Sequence, residues 1–164
     1  MQSVITVQND DFDSGAEIAR LRKDSADVGA IVSFTGLVRE FYDAAQSSAP
    51  GIQELFLEHY PGMTESALQQ IADEASQRWE LLGIRIIHRV GALHPGDQIV
   101  LVAVSSAHRQ EAFSAAEFIM DYLKTRAPFW KRETSEQGSN WVAHRDSDDA
   151  AASRWIQNNK AGKV

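Results

Sequence analysis

The chain has 164 residues, 43% of them hydrophobic, and carries a formal net charge of −7 with no cysteine. That length supports a single globular domain over residues 1–164, long enough to bury about two-thirds of the surface its unfolded chain would expose. The acidic balance excludes a nucleic-acid or bilayer surface, which needs extended Lys/Arg clusters, and the missing cysteines exclude disulfides, thiolate metal sites and a cysteine nucleophile.

The first residues, MQSVITVQNDDFD, lack a cationic n-region and an apolar h-region, and no stretch approaches the ~20 apolar residues of a membrane span. A cytoplasmic location is the expectation. Val4 to Val7 read as a short strand, followed by a brief helix capped by Asp13 or Ser14, with Ile18 and Leu21 facing inward. Gly29 to Glu40, β-branched and aromatic, reads as a well-buried strand emerging at Arg39. FYDAAQSSAPG has loop composition. ELFLEHY alternates as a half-buried strand does. TESALQQIADEASQRW carries Leu68, Ile71, Ala75 and Trp79 at helical spacing, with Thr64 as the expected cap.

IRIIHRVG and QIVLVAVSSA are two strands expected to pair as a hairpin through the turn residues of ALHPGD. HRQEAFSAAEFIMDYLKTRA is a long helix with Ala112, Phe113, Ala116, Ile119, Met120 and Leu123 as its inward stripe, stopped by Pro128. A strand, WVAHR, and a short helix around Ala150 to Trp155 end the pattern. Strands outnumber helices and the βαβ alternation of a doubly wound sheet is missing, so the class is α+β with a largely antiparallel sheet.

One stretch runs against the overall charge. DYLKTRAPFWKRE places Lys124, Arg126, Lys131 and Arg132 within nine residues of an acidic protein. Cations in a last helical turn oppose the negative end of the helix dipole, which is a sufficient structural reason for some of them. Lys124, however, falls beside Met120 on the border of the apolar stripe. Partial desolvation and the neighbouring Arg126 and Lys131 would push such a lysine towards neutrality, and so towards acid/base or nucleophilic use. His108 and Arg109 open the same helix, where free N–H groups favour anions, although capping by Ser105 or Ser106 with His108 packed on the sheet is the simpler account. Arg39 ends its strand, with a surface pair to Glu40 or Glu58 as the default. His59, His88, His94, His108 and His144 show no HExxH or HxH spacing, so no metal is expected. GxGxxG, P-loop and GxSxG motifs are missing. The tryptophans are most simply core or interface residues.

LEHYPGMTE, IIHRVGALHPGD, VAVSSAHR and above all FIMDYLKTRAPFWKRE resemble the large, catalytic subunit of molybdopterin synthase, from about residue 29 to 133. The resemblance implies an α/β-hammerhead-like fold and a sulfurtransferase that converts cyclic pyranopterin monophosphate to molybdopterin. It also implies a partner: a small ubiquitin-like sulfur-carrier subunit bearing a thiocarboxylate on its C-terminal glycine, two of which bind a homodimer of large subunits in a heterotetramer. A chain without cysteine needs such an outside donor, and a phosphorylated pterin needs a local cationic pocket.

Carried over by position, the implied substrate pocket comprises Leu37, Val38, Arg39, His108, Arg109, Lys124, Lys131, Arg132 and Glu133, with Lys124 and Lys131 catalytic. The family often has lysine where this chain has Leu37. No cofactor is implied, because the sulfur chemistry belongs to the thiocarboxylate. His108 and Arg109 precede Lys124 by about 22–24 Å of helix axis, too far for one pterin monophosphate to bridge, so the resemblance requires a site shared between two large subunits. The alternative is a non-catalytic phosphate- or nucleotide-binding module using the same cations for grip alone.

Overall fold

The computed structural model describes residues 1–40, 51–142 and 146–158. The loop residues 41–50, and the end of the expected WVAHR strand with His144, lie outside them. In chain order the elements are β1 (Gln2–Gln8), α1 (Ser14–Asp24), β2 (Ala30–Leu37), β3 (Glu54–His59), α2 (Met63–Arg78), β4 (Leu81–Arg89), β5 (Gly91–Leu93), β6 (Gln98–Ser106), α3 (Arg109–Arg126), β7 (Phe129–Ser135), β8 (Gly138–Val142) and α4 (Asp146–Asn158). The class is α+β, as expected, but the strands form two sheets instead of one, in the orders β1-β4-β6-β2 and β5-β3-β7-β8. The only parallel pairing among the described strands is β1 with β4.

β4 and β6 are the expected hairpin partners, paired antiparallel from Leu81 opposite Ser106 to His88 opposite Val100. Between them the chain detours through β5, which pairs with β3 and so ties the second sheet to the first. The return is a tight turn: Asp97 N–H donates to His94 O at 2.9 Å, and the Asp97 carboxylate accepts from His94 N–H at 2.8 Å. Gly96 takes φ 92° there, a conformation that a side chain would disfavour.

The first sheet buries both faces. α1 covers one, with Leu21 against Ile87, Leu101 and Ala103. α2 and α3 cover the other, with Leu68, Ile71, Phe118 and Ile119 against Ile84, Ile86, Val102 and Val104. α4 docks on α3 through Trp155, whose ring lies 5.5 Å from Phe118 and whose Nε1 donates to Asp121 Oδ2 at 2.7 Å. A third cluster of Val38, Leu55, Leu57, Val90 and Leu93 joins the two sheets.

Several local expectations are corrected. β2 is an edge strand, not a well-buried one: Phe34 is 44% and Leu37 52% exposed. Composition misleads here because an edge strand flanking a groove is as apolar as a central one. α2 is not capped by Thr64. Gly62 stands at its N-cap with Glu65 accepting from Gly62 N–H at 2.7 Å, while the buried Thr64 hydroxyl donates to Pro128 O at 2.9 Å. In α3 the inward stripe runs through Ala115 and Phe118, and Phe113 is 63% exposed. β7 is a strand that the cationic sequence FWKRETS concealed.

Candidate active site

Strands of both sheets converge with α3 and α4 on a cavity of about 630 Å³, and three elements, β2, α3 and β7, bring its cations. β2 reaches it after a register shift between Gly36 and Leu37. Just beyond, Val38 exchanges backbone hydrogen bonds with the 94–97 turn and buries its side chain in the inter-sheet core at 4% exposure. Alternation then turns Leu37 and Arg39 the other way, and both line the cavity. α3 ends at Ala127, whose φ −81° and ψ 125° are the extended backbone required before proline. Its last turn presents Leu123 and Lys124 to the cavity. β7 then runs along the opposite wall, where Phe129 and Lys131, two residues apart, share the cavity face.

Leu37, Arg39, Lys124 and Lys131 are therefore brought together, though they arise from three elements spread over most of the sequence. The other candidates are not. Arg132 follows Lys131 and so faces the outside of the second sheet, its guanidinium over Phe56 at 5.0 Å and Trp141 at 5.8 Å. Glu133 does not line the cavity, and Val38 packs behind it. His108 and Arg109 are exposed at the far end of α3, an unbroken helix that separates Arg109 from Lys124 by about 22 Å. Neither Ser105 nor Ser106 is the N-cap, which is His108; Ser106 Oγ accepts from His108 N–H at 3.2 Å. His108 does not pack on the sheet.

The expected partial burial of Lys124 is also not met within one chain: Leu123 beside it is buried, while Lys124 itself is exposed. The fourth cation of the cluster has a structural task, since Arg126 donates to both Glu74 oxygens of α2 at 2.9 and 2.7 Å.

His88 is the residue that sequence reasoning passed over. It ends the Ile84–Ile86–His88 row on the core face of β4 and lines the cavity at 5% exposure, its ring stacked 3.8 Å from that of Phe129. Burial above all, with the nearby charges of Lys131, Lys124 and His59 adding, pushes its pKa down to about 3. The histidine is neutral at any working pH. A signal existed in the sequence, a lone histidine in an otherwise apolar row, but that pattern usually marks an ordinary core residue.

Arg39, Lys124 and Lys131 outnumber the one carboxylate of the lining, Asp148, and share it with apolar side chains such as Leu57, Leu123 and Phe129, which suits a ring-bearing molecule with an anionic group. Among the described residues no group of three His, Asp or Glu side chains is placed to hold a metal ion. A family model described as MoaE protein matches residues 7–126.

The chain belongs to the MoaE family. Among its relatives, a molybdopterin synthase catalytic subunit of Ralstonia nicotianae is 57% identical over 151 residues, covering 92% of this chain and 83% of that protein. A solved MoaE protein from Burkholderia ambifaria superposes with a TM-score of 0.79 at 50% identity, covering 93% of this chain and 97% of that one. The crystal structure of molybdopterin synthase from Staphylococcus aureus gives 0.75 at 35% identity, with 84% and 96% covered. The β7 strand and the cavity thus belong to a MoaE-family chain, whose helices include none long and apolar enough to cross a membrane among the described residues.

Proposed function

We infer that this chain is the catalytic subunit of a molybdopterin synthase, acting in the cytoplasm on cyclic pyranopterin monophosphate, with sulfur supplied by the thiocarboxylate of a small ubiquitin-like subunit. The observation that carries the reading is the meeting of Arg39, Lys124 and Lys131 around one cavity in a MoaE-family chain. Arg39, at the rim strand, is the phosphate ligand, since a guanidinium binds phosphate oxygens in pairs. Lys124 is the acid/base group, or the amine that forms an adduct with an intermediate, and Lys131 supports it electrostatically. The chain has no cysteine, so its own side chains position pterin and donor and move protons, while the thiocarboxylate brings the sulfur. β2 is an edge strand that also lines the cavity, and its unpaired side suits an extended tail leading towards Lys124.

His108 and Arg109 enter this reading only through a second copy of the chain, because α3 holds them about 22 Å from Lys124. Such a copy would also cover Lys124, supplying the desolvation that one chain alone does not.

Incubation with a thiocarboxylated small subunit and cyclic pyranopterin monophosphate, followed by mass analysis, is the test. Gain of two sulfurs by the pterin is expected. Tight pterin binding with no sulfur gained would favour a phosphate-binding module instead. Arg39→Ala should weaken substrate binding by about tenfold to a hundredfold, with a smaller change in the rate of the bound complex. A fall in rate at saturating substrate with unchanged affinity would contradict the phosphate role.

A further inference from the structure

The cavity's charged side chains leave one requirement of a heterocyclic ligand unmet. Arg39, Lys124 and Lys131 donate hydrogen bonds and accept none. Thr125 is turned to its own helix, its Oγ1 donating to Asp121 O at 3.2 Å and Tyr122 O at 3.3 Å. Asp148 on α4 is an acceptor, but a charged one, and the Thr35 and Ser147 hydroxyls can rotate to donate or accept and so do not select for an N–H. His88 differs from all of these. Its Nδ1 lies 2.8 Å from Arg89 O, and since a carbonyl only accepts, Nδ1 carries the proton and Nε2 keeps its lone pair. His88 is 5% exposed and lines the cavity. The stack on Phe129, 3.8 Å between ring centres and 19° between planes, fixes the direction of that lone pair.

We propose that His88 is a specificity-determining residue that presents Nε2 as a neutral acceptor to an N–H of the substrate's pterin ring. The proposal rests on the function inferred above. Because the imidazole stays uncharged beside Lys124 and Lys131, the acceptor persists across the working pH range. A site built to accept an N–H discriminates strongly against rings lacking it, which a purely cationic pocket cannot do.

The test is equilibrium dialysis of cyclic pyranopterin monophosphate against the chain, with thermal unfolding measured in parallel. His88→Phe preserves ring volume and stacking and should bind about tenfold more weakly, the effect of losing one such hydrogen bond. His88→Gln can return an acceptor to the Nε2 position and should bind within about threefold of the native chain, whereas His88→Asn reaches only the Nδ1 position and should remain weak. The affinity for inorganic phosphate alone should be alike in all four proteins, because its ligands are the cationic side chains. Equal affinity of native and Phe proteins would overturn the proposal, as would equal affinity of Gln and Asn variants. If Phe fails to fold, the Gln and Asn pair decides. A native chain that binds no pterin refutes the functional reading itself, which the variant comparison does not touch.

Discussion

Lys124→Arg should lose turnover almost as completely as Lys124→Ala, each by about a thousandfold or more, while Lys131→Arg retains a larger share. Arginine keeps the charge and much of the reach of lysine but remains protonated at any working pH, so it can neither accept a proton nor attack as an amine. If Lys124 only gripped an anion, the guanidinium would serve as well or better, because it binds phosphate in pairs. The cavity beside Lys124 measures about 630 Å³, which gives the longer side chain space on that side. Unchanged affinity of the Arg variant for cyclic pyranopterin monophosphate would show that a collapse in turnover is not steric. Product formation by mass analysis at saturating substrate is the measurement. An Arg variant within about tenfold of native would remove Lys124 from proton or covalent chemistry and favour the binding-module alternative.

Mixing two inactive proteins, Arg109→Ala and Lys124→Ala, under conditions that allow subunit exchange should restore activity. α3 runs without a break from Arg109 to Arg126, so the two side chains of one subunit cannot meet on one pterin monophosphate. If the site takes Lys124 from one copy and Arg109 from the other, a mixed dimer gathers both lesions into one site and leaves the second intact. Activity should return to about half of native per mixed dimer, from a baseline near zero. Confirmed exchange with no recovered activity would contradict a site shared between two copies. The exposed Phe113, one helical turn from Arg109, would then be an isolated apolar residue instead of part of a subunit contact.

The sequence by itself determined the local elements wherever one physical rule dominated. Helical periodicity placed α2 and α3, Pro128 stopped α3, and Pro95-Gly96-Asp97 turned β4 back through β5 towards β6. The motif FIMDYLKTRAPFWKRE also carried the family, because a long unusual string is specific without any knowledge of its fold. Tertiary structure decided what the string's cations do. Lys124 and Lys131 reach the cavity, Arg126 binds Glu74, and Arg132 faces outward over Phe56 and Trp141. Lys131 and Arg132 are adjacent in sequence and opposite in space because β7 is a strand, a fact hidden by the cationic sequence FWKRETS, which shows no clear alternation of polar and apolar residues. Leu37 and Val38 part company for the same reason, at a register shift that no composition rule reveals. His88 became visible only when β4, α3 and β7 closed around it. Hydrophobic periodicity reports how each residue sits relative to its own element, and a site assembled from three elements depends on which faces those elements turn to one another.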